Sequence, residues 1–218
     1  MKTHKTEEVE FFYNRFYFDK NVLIPRLDTE SLVREAIKIA KKENIKTLLD
    51  IWTWSWIIPI SIDKNVPDLK IYAVEKSKRA LKIARANAIK NNSQISFIPW
   101  DLLKTFLTEG FDFPEKVLIT TNLPYIKNED WENMSDDTKF EPKMALFWWK
   151  RTWFELYEKF FRQVLKLKEK YSRVTFFVIC EIWFDQKDIA KKFLKKCNFK
   201  FEFFKDLRDI ERFIKVII

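Results

Sequence analysis

A single glycine, Gly110, in a chain of 218 residues is the strongest constraint on what this sequence can fold into. Ordinary usage of ~7% would supply roughly 15. Turns that need φ > 0 are left with almost none of the residue best suited to them. Nine tryptophans accompany this deficit, and the two anomalies need one explanation. Collagen-like, Gly/Ser-linker and low-complexity classes are excluded at once. With 47% hydrophobic and 33% charged residues, the chain is globular rather than disordered.

Other features narrow the classes further. The length suits one domain with a sizeable core. No stretch approaches ~18 uninterrupted apolar residues, so no membrane span is expected. The start, MKTHKTEEVEFF, lacks the apolar core of a signal peptide, which predicts a cytoplasmic protein. His4 is the one histidine, so neither a Ser–His–Asp triad nor a histidine-based metal site can be assembled. Cys180 and Cys197 have no metal or redox spacing and read as inert thiols. The net charge of +9 suits an acidic or nucleic-acid-rich partner such as a ribosomal complex, or simply a solvated lysine-rich surface.

Strands alternate with helices along the chain. Residues 28–43 place Leu32, Val33, Ala36, Ile37, Ile39 and Ala40 at helical spacing, with Asp28 or Thr29 as a cap. Short apolar strands follow at 47–51, 70–74, 94–98, 116–121 and 173–182. Helical patterns fall at 77–90, 154–168 and 185–196. Two last strands, near 199–205 and 212–218, make a hairpin. This order predicts an α/β fold, a mostly parallel sheet covered by helices on both faces with an antiparallel C-terminal edge strand.

The tryptophans fall where this pattern needs glycine. In LLDIWTWSWIIPISI (48–62), Trp52, Trp54 and Trp56 follow a buried strand. Tryptophan at alternate positions is also a plain strand pattern. Glycine at the three positions would turn the segment into a strand, a glycine-rich turn and a helix, the layout that brings backbone N–H groups against a nucleotide-like ligand. The same replacement makes turns of Trp148, Trp149, Trp153 and Trp183, and Trp100 is an eighth candidate. Trp131 fits as written. The expectation is that a codon meaning glycine in the source has been translated as tryptophan. The competing reading is a natural tryptophan-rich variant.

With glycine at those positions the chain resembles the release factor glutamine methyltransferase family, class I enzymes that use S-adenosylmethionine (SAM). FFYNRFYFDKNVLIPRLDTESLV (11–33) is similar to the family's FYG-x-x-F and VLIPRPETE segment, with Leu27 where proline is usual. Asp50 through Trp56 match its D-x-G-x-G-x-G loop. AVEKSKRALKIARANA (73–88) matches its second-strand acidic motif, and NLPYI (122–126) its N-P-P-Y. FEPKMALFWWKRTWFELY (140–157) matches E-P-x-x-A-L-x-G-G-x-x-G, and KDLRDIERFIKVI (205–217) resembles its closing D-L-x-x-x-x-R. Each match alone is weak. The ordered set is specific.

The resemblance implies a seven-stranded Rossmann-like methyltransferase. It assigns residues 28–218 to the catalytic domain, after an N-terminal segment (1–27) in which the family's helical domain is absent or truncated. SAM is implied as cofactor, held by Asp50, Trp52, Thr53, Trp54, Trp56, Glu75, Asp101 and Asn122. Asp50 would take the ammonium of the methionine part. Glu75 would accept from the ribose hydroxyls, or else is a surface acid paired with Lys76 or Lys78. Asp101 would face the adenine amino group beside Leu102, or cap the next helix. Asn122, Leu123, Pro124 and Tyr125 would form the acceptor site, though NLPY by itself is equally a proline turn. Arg26 and Glu141 belong to the motifs and have a structural ion pair as their alternative.

The implied acceptor is a glutamine side chain in a peptide chain release factor, met by a monomer and ribosome-associated in one version. Ribosomal protein glutamine methyltransferases share several of these segments, and N6-adenine methyltransferases of RNA or DNA share the tetrad. A non-catalytic RNA- or protein-binding module is the reading that literal tryptophans in the SAM loop would favour.

Overall fold

The computed structural model describes residues 7–19, 25–52, 56–99, 101–124 and 154–218. The elements are β1 (Glu7–Phe11), β2 (Asn14–Phe18), a 3-10 turn (Leu27–Thr29), α1 (Glu30–Lys42), β3 (Thr47–Ile51), α2 (Ile57–Asp63), β4 (Lys70–Val74) and α3 (Lys78–Lys90). They continue with β5 (Ile95–Ile98), α4 (Lys104–Thr108), β6 (Lys116–Asn122), α5 (Glu155–Lys170), β7 (Thr175–Glu181), α6 (Lys187–Lys196), β8 (Lys200–Lys205) and β9 (Glu211–Ile217). Seven strands form one sheet in the order β5-β4-β3-β6-β7-β9-β8. The five from β5 to β7 run parallel, and β9 pairs antiparallel with both β7 and β8. The C-terminal strand is antiparallel as expected, but it lies inside the sheet and leaves β8 at the edge.

Alternation along the strands divides the core into two layers. On one face Leu48, Ile71, Ala73, Leu118, Phe177 and Ile179 meet α1, α2 and α3. On the other Leu49, Val74, Val117, Ile119, Phe176 and Val178 meet α4, α5 and α6. A strand buried on both faces is mostly apolar, which is why TLLDI and KVLITT read as near-continuous runs. Among the described residues no helix is long and apolar enough to cross a membrane.

At three helix ends asparagine stands where glycine is usual. Helices α1, α3 and α6 each end in a residue at φ > 0, namely Asn44 (52°), Asn92 (49°) and Asn198 (57°). In each case the next N–H reaches back five residues: Ile45 to the Ala40 carbonyl (2.8 Å), Ser93 to Ala88 (2.9 Å) and Phe199 to Leu194 (3.0 Å). This is the Schellman closure, and asparagine is the best substitute for glycine there.

The β1–β2 hairpin has no counterpart in the sequence reading, because Phe12 and Tyr13 occupy its left-handed turn instead of an Asn-Gly pair. It docks on α3 through Asn87, fully buried on that helix. The Asn87 Oδ1 accepts from the Tyr17 N–H (2.6 Å), and its Nδ2 donates to the Tyr17 carbonyl (2.9 Å). Asn87→Ala removes both bonds. The expected result is lost hydrogen-exchange protection at Tyr17 and a stability loss of about 1–3 kcal/mol in urea unfolding. Unchanged protection would mean that the hairpin's apolar residues suffice to hold it.

Candidate functional site

The chain runs from β3 outward to β4 and β5, then returns to the other side of β3 with β6. The carboxyl ends of β3, β4 and β6 therefore border the point where the strand order reverses, the position at which open α/β sheets bind ligands. Asp50, Trp52, Glu75 and Asn122 all fall there. In the ladders Asp50 stands opposite Ala73 and Thr120, and Ile51 opposite Thr121. Asn122, one residue further, comes level with the end of β3, and Glu75 follows directly on β4.

Asp50 is fully buried. The Thr120 hydroxyl donates to its Oδ1, while its Oδ2 has no hydrogen-bond partner among the described residues. Burial pushes the Asp50 carboxyl well above its ordinary value of 3.8; the Thr120 bond opposes this, and the charge on Glu75 adds to the rise. A buried carboxylate with an unused acceptor beside a second acid is an electrostatic liability that a cationic, hydroxyl-bearing ligand relieves. Glu75 is buried too (1% exposed), and its Oε1 accepts from the Ser77 N–H at 2.7 Å. Ser77 in turn caps α3, accepting from the Ala80 N–H at 3.3 Å. Glu75 is thus a buried carboxylate at the end of β4 and not a surface acid.

Asp101 makes an ion pair with Lys159 at 2.6 Å, while its Oδ1 is buried. It does not cap α4, whose N-cap is Leu103 without a side-chain bond. Leu102 beside it is fully buried. At the acceptor end Asn122 is half-buried and Leu123 and Pro124 are buried. The Thr121 hydroxyl donates to the Ile51 carbonyl at 2.7 Å and ties β6 to β3. Thr53, Trp54, Trp100, Tyr125 and Glu141 lie outside the described residues, as do Trp131, Trp148, Trp149 and Trp153.

Two site tryptophans conflict with their surroundings. Trp52 has φ 65° and Trp56 φ 67°, both left-handed. Such backbone costs a non-glycine residue about 1–3 kcal/mol. The Trp56 ring is fully buried against Phe97 at 4.4 Å between centroids, and its Nε1 has no acceptor among the described residues. Both positions have the backbone for which glycine is the natural residue.

Three groups near the strand tips, Glu181, Tyr157 and Gln186, were not singled out in the sequence. The Glu181 carboxylate accepts from the Thr29 hydroxyl at 2.7 Å, and the Tyr157 hydroxyl joins β6 to β7. The Gln186 Oε1 accepts from the Trp183 N–H at 2.9 Å, closing the turn after β7. An acid ending the apolar run TFFVICE was the available signal for Glu181; nothing in a single sequence marks Tyr157. The first and last motifs meet here as well. Arg212 lies 3.4 Å from both Asp28 and Asp206, and Arg208 also pairs with Asp28. These motif residues tie the segment before α1 to the β8–β9 turn by ion pairs. Arg26 contributes its carbonyl, which accepts from the Thr29 N–H at 3.1 Å.

Among solved structures, the SAM-dependent methyltransferase from Agrobacterium tumefaciens matches 100% of this chain and 71% of its own (TM-score 0.63, 8% identity). The N-terminal domain of human METTL16 in complex with SAH matches 89% and 72% (TM-score 0.57, 14% identity). Sheet order, switch point and these likenesses define a class I methyltransferase fold. No protein-family model matches the chain. Curated relatives carry the identification further, and all three of the following bear the name release factor glutamine methyltransferase. The Staphylococcus aureus protein is 33% identical over 93% of this chain and 71% of its own length. The Dictyoglomus turgidum protein is 33% identical over 97% and 73%. The Flavobacterium psychrophilum protein is 40% identical over 64% of the chain, a match that spans about half of that relative. The chain belongs to the release factor glutamine methyltransferase family, and so to the SAM-dependent methyltransferases.

Asp50 supplies a test of the pocket. Its pKa in the folded protein exceeds the unfolded value, so the unfolded chain ionises first as pH rises. Stability associated with Asp50 is therefore fully present at low pH and is lost as pH climbs through the raised folded pKa. Asp50→Asn should flatten that decline, leave the ligand-free protein at least as stable at neutral pH, and weaken SAM binding about a hundredfold. Thermal melts across pH and titration calorimetry read the two effects. A less stable variant with unchanged SAM affinity would show Asp50 to be structural only.

Proposed function

We propose that this chain transfers a methyl group from SAM to the side-chain amide nitrogen of a glutamine in a peptide chain release factor. The observation that carries this reading is the placing of Asp50, Glu75 and Asn122 at one switch point, in a chain of this family. In this reading residues 28–218 form the catalytic domain, acting as a monomer in the cytoplasm.

The residues present fit the cofactor. Asp50 Oδ2 is the spare acceptor for an ammonium, and a buried Glu75 suits a ribose diol. Asp101 and the buried Leu102 are the residues this reading assigns to the adenine. Bound SAM supplies an electrophilic methyl on a sulfonium. An amide nitrogen is a poor nucleophile because its lone pair is delocalised into the carbonyl. Asn122 Oδ1 and the Leu123 carbonyl accept its two N–H hydrogens, which orients the lone pair and favours the positive charge that develops on nitrogen. Tyr125 packs against the planar amide. Asn122→Ala should lower methyl transfer more than about a hundredfold while SAM affinity stays within about threefold. Equal loss of both would make Asn122 structural. Side-by-side assays on release factor, ribosomal protein and ribosomal RNA identify the acceptor, and preferential labelling of RNA would replace the glutamine reading.

We propose further that positions 52, 54 and 56 carry glycine in the molecule made by its source. Support comes from left-handed φ at Trp52 and Trp56 and from the buried, unsatisfied Trp56 indole. Replacing all three by glycine should raise SAM affinity at least tenfold over the chain as written, measured by titration calorimetry. Equal affinity of both chains, or tryptophan in the peptide isolated from the source, would overturn this.

A further inference from the structure

In the family tetrad N-P-P-Y the second residue is proline, whose ring locks φ and removes the N–H. This chain has leucine there. Leu123 is fully buried, so the change introduces both a rotatable φ and a backbone donor that must be satisfied away from water. The structure supplies the missing partner. The Leu123 N–H donates to the Tyr157 hydroxyl at 3.1 Å, and that hydroxyl donates to the Glu181 carbonyl. Tyr157 is itself fully buried on the first turn of α5, with its ring stacked on Phe154 at 5.3 Å and 17°. The Glu181 carboxylate is held by Thr29. One hydroxyl thus spans the tips of β6 and β7, next to the peptide that carries the second acceptor.

We propose that Tyr157 is a positioning residue for methyl transfer, replacing by a hydrogen bond the restraint that a proline ring would give at position 123. The proposal rests on the reading of Asn122 and Leu123 as the acceptor-holding pair. With φ of Leu123 fixed, the Leu123 carbonyl and the Asn122 side chain keep one relative orientation, which in-line transfer requires. Without the hydroxyl, the buried N–H is orphaned and the peptide is free to rotate in search of a partner.

The test is a double-mutant cycle of Tyr157→Phe with Leu123→Pro, in the chain carrying glycine at 52, 54 and 56. Tyr157→Phe keeps the stacked ring and removes only the hydroxyl. In the leucine background it should lower kcat about tenfold, leave SAH affinity within about twofold, and speed hydrogen exchange of the Leu123 amide. In the proline background the same substitution should lower kcat less than about threefold relative to Leu123→Pro alone. Equal losses in both backgrounds, or no loss in either, would overturn the proposal and leave Tyr157 a core residue. Should Tyr157→Phe unfold the protein in the leucine background, recovery of a cooperative melt in the proline background supports the proposal, and failure there overturns it. Asn122→Ala runs in parallel: if it retains full activity, the acceptor-site reading fails independently of Tyr157, whose bond is still reported by Leu123 exchange.

Discussion

A carboxylate buried at the tip of the central strand governs how the rest of the site is built. Asp50 is removed from water with one oxygen spent on Thr120 and the other unspent, and Glu75 is buried close enough to raise its pKa. A fold optimised for stability alone would place an apolar residue there, as it does at Leu48, Leu49 and Ile51 on the same strand. The cost is bearable because the sheet around Asp50 is rigid. β3 is paired on both sides, and Thr121 adds a second side-chain tie across to its backbone. In the proposed function, this unspent acceptor is the preorganisation on which SAM binding draws.

The same rigidity explains why so much of the fold was legible in the sequence. Strands β3 and β4 match their apolar runs residue for residue, because a strand covered on both faces is built mostly of apolar residues. Asp50 was named through the resemblance of the 50–56 segment to the family's SAM loop, and the structure shows that carboxylate fully buried. What the sequence hid depends on contacts between distant segments. Tyr157 meets Leu123 across 34 residues, Thr29 meets Glu181 across 152, and Arg208 meets Asp28 across 180. None has a periodic or local signature. The place of β9 between β7 and β8 was equally hidden, since a hairpin can add to a sheet by either strand.

The glycine shortage shows where the chain's design and its written sequence part. Of the ten residues with φ > 0 among those described, Asn44, Asp68, Asn92, Asn198 and Asp209 are Asn or Asp, the types that tolerate the left-handed region. They sit at helix ends and turns, where local hydrogen bonds define the geometry. Folding therefore proceeds with little glycine wherever only a turn is required.

At Trp52 and Trp56 the requirement is different, and asparagine would not serve either. A turn that must admit a ligand against its own backbone needs space as well as left-handed φ, and only a residue without a side chain gives both. Each level of the chain elsewhere agrees with the next: apolar runs with two-sided burial, Ser77 with the start of α3, Asn with the helix ends. Such consistency is the mark of a foldable sequence, and two left-handed tryptophans flanking one turn point to that turn rather than to the fold. That turn lies at the site that Asp50, Glu75 and Asn122 surround. Tryptophan there opposes the backbone and buries a Trp56 N–H that has no acceptor among the described residues. Glycine resolves both conflicts at once, in exchange for the ring contact between Trp56 and Phe97.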